Sequence, residues 1–120
     1  MKTFVQVKTE VYIKHNWPNC NIEQSDFLRN EHVHKMLITV EVEVTHSDRQ
    51  VEFFVLRGDI LRVLQSLYKI EAKGVIYEIG TRSMEMVADE LFMKLYEQQY
   101  SVYSVECSED GFFSGKVIRE

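Results

Sequence analysis

The stretch at residues 30–44, NEHVHKMLITVEVEV, decides how the whole chain is read. From His32 onward its residues alternate. His32, His34, Met36, Ile38, Val40, Val42 and Val44 share one side, while Glu41 and Glu43 face the other. A period of two over that length predicts a half-buried β-strand, placed at 32–46 with His46 at its far end. Two histidines at i and i+2 leave the same face of such a strand, with roots roughly 6–7 Å apart. A strand that only fills a core gains nothing from that pair.

Upstream, residues 3–15 (TFVQVKTEVYIKH) alternate in the same way. Val5, Val7, Val11 and Ile13 point one way, Gln6, Lys8, Glu10 and Lys14 the other, and His15 closes the apolar side. Residues 16–31 (NWPNCNIEQSDFLRNE) hold the only proline and four asparagines, which predicts a loop. It is longer than most connections, and long loops in compact domains are often functional. Pairing the two strands antiparallel sets the end of the first beside the start of the second. His15, His32 and His34 then meet at one rim of the sheet. Three neutral imidazoles with an open fourth position form the donor set of a catalytic zinc site. Cobalt, nickel or iron fit the same donors. His46, at the opposite end, reads as a solvated turn residue.

Downstream, HSDR at 46–49 is a polar turn, and QVEFFVL is predicted to return as an antiparallel strand covered on both faces. GDILRVLQSLYKIEAKG then takes helical spacing, with Ile60, Val63, Leu64, Leu67 and Tyr68 on one stripe. Asp59 is its expected N-cap and Gly74 its expected stop. After the short apolar piece VIYEIG, a second helix is predicted over 83–98. Thr81 or Ser83 caps it, and Val87, Leu91, Leu95 and Tyr96 form its core stripe. YSVYSVEC and FFSGKVI read as two strands around an Asp-Gly turn, SEDG, whose acids are expected to be solvated. The expected architecture is α+β: one domain over 1–120, a four-stranded antiparallel sheet with two helices on one face.

Composition narrows the function. Apolar content of 45% and charged content of 28% suit a globular domain of 120 residues. A net charge of −5 disfavours nucleic acid and anionic membranes as partners. No apolar run approaches the roughly 20 residues of a bilayer span. The opening MKTFVQVKTEVYIKH lacks a signal peptide's apolar core. Cys20 and Cys107 are too few for a disulfide framework, so a reducing cytoplasm is expected, with a single Cys20–Cys107 bridge left open.

Together these segments resemble the 6-pyruvoyl-tetrahydropterin synthase and 6-carboxytetrahydropterin synthase (QueD-like) family of tunnelling-fold proteins. VYIKH, ending in His15, is similar to the family's F-S-A-A-H type motif, and HVHKMLITVEVEV to the strand opened by H-G-H. RQVEFFVLRGDILRVL is similar to G-M-V-x-D-F-x-x-L-K, with Glu52 at the acidic position. RSMEMVADEL resembles the P-T-x-E-N-L-A helix start, with Glu85 at its glutamate. VECSEDGFFSG resembles the C-terminal E-T motif, with Glu106 at the glutamate that anchors the pterin ring. The resemblance runs in order over nearly the whole chain. It implies zinc on His15, His32 and His34, a pterin- or purine-type ligand held by Glu106 and Glu85, lyase-type chemistry, and a homo-oligomer, trimer or hexamer, whose sheets close into a β-barrel.

The departures concern the proton relay. The family's cysteine a few residues before H-x-H is missing from DFLRNE, and its L-D-H motif has no counterpart in YKIEAKGVIYEIGTRS. Cys20 or Glu31 would have to carry protons instead. Glu31 also has a reading as a partner orienting a histidine. Arg29 is a candidate for a ligand's phosphate or carboxylate, with an ordinary exposed loop charge as the alternative for both. Glu106 has a physical case of its own. A carboxylate on a covered sheet face is costly unless paired, and it accepts two hydrogen bonds from an N–C–N edge. Its alternative is an edge-strand glutamate in water. Trp17 either packs over the site or anchors the loop. Three functions follow: a zinc-dependent lyase with an altered relay, a non-catalytic zinc protein that binds a pterin, purine or nucleotide-like ligand, and a structural oligomer with incidental histidines.

Overall fold

The computed structural model describes residues 1–71 and 75–120. Strand β1 (Thr3–His15) pairs antiparallel with β2 (His32–Val44), from Thr3 opposite Val44 to His15 opposite His32. The alternation is the cause. In this register Val7 meets Val40 and Val11 meets Met36, so the apolar rows of both strands fall on one face. The other face carries Gln6, Lys8, Glu10, Glu41 and Glu43. A one-residue slip would turn an apolar row to solvent, so the pattern itself fixes the register. β2 ends at Val44, short of His46. The 16–31 loop contains a 3-10 helix, Glu23–Arg29.

The segment VEFFVL is helical, contrary to the strand expected there. α1 (Phe53–Leu67) starts earlier than its apolar stripe suggested. Its N-cap is Glu52, whose side chain accepts the Phe54 N–H, and not Asp59. Leu56 extends the stripe of Ile60, Val63 and Leu64 back by one turn, and all four are buried. Phe53, Phe54 and Val55 stay exposed, so no layer covers both sides of this segment. Gly58 lies inside the helix. Its cost of about 0.5–1 kcal/mol relative to alanine is smaller than the roughly 1.5–3 kcal/mol from burying one Leu56-sized side chain. The helix ends with Tyr68 as C-cap. Gly74, the stop expected from the sequence, lies outside the described residues.

Among the described residues the sheet has six strands and is mixed, not four and purely antiparallel. Its order is β3-β4-β1-β2-β5-β6, where β3 is Lys69–Ile70, β4 Ile76–Gly80, β5 Val102–Glu109 and β6 Phe113–Ile118. β4, the VIYEIG piece, runs parallel to β1, Tyr12 opposite Ile76, and β3 caps it antiparallel. α2 (Met84–Glu97) follows the Ser83 N-cap as expected. Val87, Leu91 and Leu95 are buried, but Tyr96 is exposed. Both helices cover the apolar sheet face. One cluster joins Ile13, Ile38 and Val40 of the sheet to Ile60 and Leu64 of α1 and Leu91 of α2.

Candidate metal centre

The register of β1 against β2 sets His15 directly opposite His32, with His34 opposite Ile13 on the same face. The rings pack edge to face, with centroids 4.6 Å apart for His15 and His32, 4.8 Å for His32 and His34, and 5.4 Å for His15 and His34. Each Nδ1 has an acceptor. His15 Nδ1 lies 2.9 Å from the Arg82 carbonyl, His32 Nδ1 2.8 Å from the Asn30 carbonyl, and His34 Nδ1 2.7 Å from the Asp110 carboxylate. Neutral rings therefore carry their protons on Nδ1 and turn Nε2 lone pairs inward. All three Nε2 atoms are buried and have no hydrogen-bond partner among the described residues. Buried acceptors left in this state are costly. One metal ion would satisfy all three, and the donor atoms lie within 4.8 Å of one another. That is wider than the roughly 3.3–3.5 Å between ligands around a tetrahedral ion, a difference that side-chain torsions can close.

Burial favours the neutral form of the His15 ring. It pushes the His15 pKa down, against the opposing pull of the Arg82 carbonyl. The His34 ring, then the Lys35 N–H, hold the Asp110 carboxyl below its ordinary range.

The backbone explains why these partners are in place. Gly80 has φ of 66°, left-handed, and turns the chain out of β4 toward Ser83. This brings the Arg82 carbonyl over His15. Arg82 is itself tied by Nε to Glu90 at 2.6 Å. The β5–β6 turn has positive φ at both Asp110 and Gly111, as an Asp-Gly hairpin requires. It is bound to β2 through both backbone groups of Lys35: the Asp110 N–H donates to the Lys35 carbonyl at 2.8 Å, and the Lys35 N–H donates to Asp110 Oδ1 at 3.0 Å.

That turn supplies what the sequence reading missed. Glu109 and Asp110, solvated turn acids by the sequence pattern, stand against the histidine rings. Glu109 stands 3.4 Å from His15 Nε2 and 3.5 Å from His34 Nε2 through its two oxygens. The signal was parity. Glu109 is opposite Met36 on β2 and shares the histidine face, whereas Glu106 is opposite Thr39 on the other face. Glu106 there accepts from the Ser114 hydroxyl at 3.2 Å.

Of the other candidates, Cys20 is buried within its own loop, its Sγ 3.4 Å from the Ser25 carbonyl. Cys20 and Cys107 are both free thiols. Arg29 braces that loop, donating from Nε to the Cys20 carbonyl at 2.7 Å. Glu31 is exposed and 4.0 Å from Lys14. Glu85 opens α2 and lines a cleft of about 560 Å³ together with His15, His32, Trp17, Met86 and Glu109. Cys20, Glu31, Arg29 and Glu106 are not among the residues lining it. A second hollow of about 710 Å³ lies at the far end of the sheet beside His46 and Phe54.

The α+β fold of this chain is shared with solved structures. No family model matches the sequence, and no curated protein does. The fold is that of the 6-pyruvoyl tetrahydropterin synthases, the tunnelling fold. The synthase from Plasmodium vivax superposes with a TM-score of 0.65 at 13% identity, over 100% of this chain and 99% of that one. The Caenorhabditis elegans synthase gives 0.62 at 13% identity, over 100% and 97%. An uncharacterized protein from Wolinella succinogenes gives 0.70 at 14% identity, over 100% and 99%. A glutamate of the P. vivax enzyme has been replaced in a structure described as a catalytic residue mutant. Among the described residues, no helix is long and apolar enough to cross a membrane.

Proposed function

We propose that this chain is a metal-dependent protein that takes a pterin- or purine-type heterocycle in the cleft beside His15, His32 and His34. The observation that carries this reading is the convergence of three buried Nε2 atoms without partners. Three imidazoles suit zinc above the hard cations. Bound there, zinc would polarise a ligand oxygen or lower the pKa of a water toward 7. The chain's own part is positional. The Arg82 and Asn30 carbonyls and the Asp110 carboxylate fix the three rings. Trp17, Met86 and Phe113 give the cleft apolar walls for a flat ring, and Glu85 a carboxylate at its edge. The shared fold supports lyase-type chemistry on a pterin. The glutamate described as catalytic in the P. vivax protein favours a carboxylate as proton carrier, and Glu109 is the carboxylate that faces the His15 and His34 Nε2 atoms.

A specific observation favours a second reading, binding without turnover. Cys20 is turned into its own loop and Glu31 toward Lys14, so neither expected proton carrier faces the histidines.

The assembly proposed is a trimer or hexamer in a reducing cytoplasm. β6 has an unpaired edge beside exposed Phe112 and Phe113, and such edges recruit another chain.

Elemental analysis of the purified protein is expected to find about one zinc per chain. The His32→Ala, His34→Ala double variant is expected to lose most of it. Retention of more than half the metal by that variant refutes the centre. Incubation with dihydroneopterin triphosphate, followed by product analysis, separates turnover from binding. A solution mass equal to the 14.2 kDa monomer refutes the assembly.

A further inference from the structure

We propose that Glu109 is a fourth ligand that closes the His15–His32–His34 centre, so that the resting metal site has no open position. This rests on the metal reading above and deepens it.

The first observation is distance. Glu109 presents one oxygen to His15 Nε2 at 3.4 Å and the other to His34 Nε2 at 3.5 Å. Both exceed the 2.7–3.2 Å of an N–H···O hydrogen bond. Both match the roughly 3.3–3.5 Å that separates neighbouring ligands when each lies about 2.0–2.2 Å from a tetrahedral ion. At His15 and His34 the two oxygens thus stand at ligand-to-ligand spacing and not at hydrogen-bond spacing.

The second observation is polarity. The Nδ1 atoms of all three rings are committed to acceptors, so lone pairs on Nε2 face inward. Glu109 adds acceptor oxygens to acceptor nitrogens. Such a cluster repels itself unless a cation sits among its members. The Glu109 side chain is only 23% exposed, so water screens it little.

The third observation is support. Glu109 is the last residue of β5, paired with Met36 on one side and Phe113 on the other. The next residue, Asp110, is bonded to both His34 and the Lys35 backbone. The turn that orients His34 therefore also aims Glu109. Two ligand-directed groups on adjacent residues, one to the centre and one to a ring behind it, are the arrangement of a ligand and its outer support. A ligand in the cleft would then reach the ion only by displacing this carboxylate.

Metal-stripped wild type, Glu109→Gln and, as a control on the opposite sheet face, Glu106→Gln are titrated with zinc against a chromophoric chelator. The cobalt-loaded proteins are then exposed to azide, a small anion that fills an open coordination position. Glu109→Gln is expected to bind zinc at least about tenfold more weakly, no less than the loss of an outer-shell partner costs. Its cobalt bands should shift with azide, while those of wild type and Glu106→Gln stay unchanged. Unaltered zinc affinity in Glu109→Gln overturns the proposal, and so does an azide shift in wild type. The wild-type azide measurement decides the matter even if the variant fails to fold. In either of those outcomes, loss of zinc from the His32→Ala, His34→Ala variant leaves the three-histidine reading standing. Wild type that binds no zinc overturns both.

Discussion

Asp110→Asn is the substitution that isolates the outer support of the centre. Asp110 spends both carboxylate oxygens. Oδ2 takes the His34 Nδ1–H at 2.7 Å, and Oδ1 takes the Lys35 N–H at 3.0 Å. Asparagine keeps the shape and tolerates the left-handed φ of 56° at this position, but it offers one acceptor oxygen. Lys35 is exposed, so water can replace the bond lost at its N–H. The amide oxygen is then free to stay on His34. What disappears is the charge. A hydrogen bond to a charged group is roughly twice as strong as a neutral one, so the His34 ring is held less firmly. The expected loss is about tenfold in zinc affinity, the lower end of the range for such partners. If the amide flips, its NH₂ donates to Nδ1 and moves the ring proton to Nε2, where His34 no longer ligates, and the loss grows. Competition with a chelator measures the affinity, and urea unfolding of the metal-free protein measures the background. Zinc affinity within twofold of wild type would refute the reasoning. So would a loss matched in full by metal-free stability, because the role would then be structural.

Two further substitutions test the frame that holds the site. A Cβ on Gly115 of β6 would sit 2.6 Å from the Glu85 Cα at the start of α2, and a backbone cannot yield as a flexible side chain does. Gly115→Ala should therefore cost about 1–3 kcal/mol in urea unfolding, and a midpoint unchanged from wild type would show that β6 and α2 approach less closely. The Tyr100 hydroxyl, and after it the Arg62 guanidinium, hold the Asp59 carboxyl below its ordinary 3.8. The stabilisation is fully present above that unfolded value and is lost as pH falls through the lower folded one. Asp59→Asn should lose roughly 1.5–3 kcal/mol at neutral pH, and its deficit should shrink in acid, whereas an equal deficit at both would contradict the assignment.

The part of the fold legible in the sequence was the part written in parity. The alternation of 3–15 and 32–44 fixed two strands, their faces and their register, and the three histidines followed from it. The strand reading of VEFFVL failed because so short a segment fits either period. The deciding features were weak ones: Glu52 as a cap, and Leu56 one turn before Ile60. Gly58 pointed the wrong way, since burial outweighed its preference. The place of β4 beside β1 was not readable, because a parallel pairing between segments far apart in the chain leaves no mark in a short apolar run. Glu109 was hidden because an Asp-Gly turn reads as solvated. It and Glu106 differ by an odd number of residues on one strand, so within one chain only Glu109 shares the histidine face.

The same arithmetic puts the carboxylates beside the histidine rings on the hairpin. The 16–31 loop satisfies itself: the Trp17 N–H donates to the Leu28 carbonyl at 2.6 Å, the Asn16 side chain to the Arg29 carbonyl at 3.0 Å, and Arg29 to the Cys20 carbonyl. A loop whose polar groups are used in holding its own shape acts as a wall, and Trp17 and Leu28 present that wall to the cleft. Cys20 and Arg29 belong to the wall's construction. The carboxylates in contact with the histidines come instead from two adjacent residues of the β5–β6 turn, which is locked to β2 at Lys35. Within one chain, then, Glu109 is the carboxylate that faces the His15 and His34 Nε2 atoms. If that carboxylate is also the fourth ligand, it can accept a proton only after an incoming ligand has displaced it. Binding would then precede proton transfer by geometry, with no cysteine required.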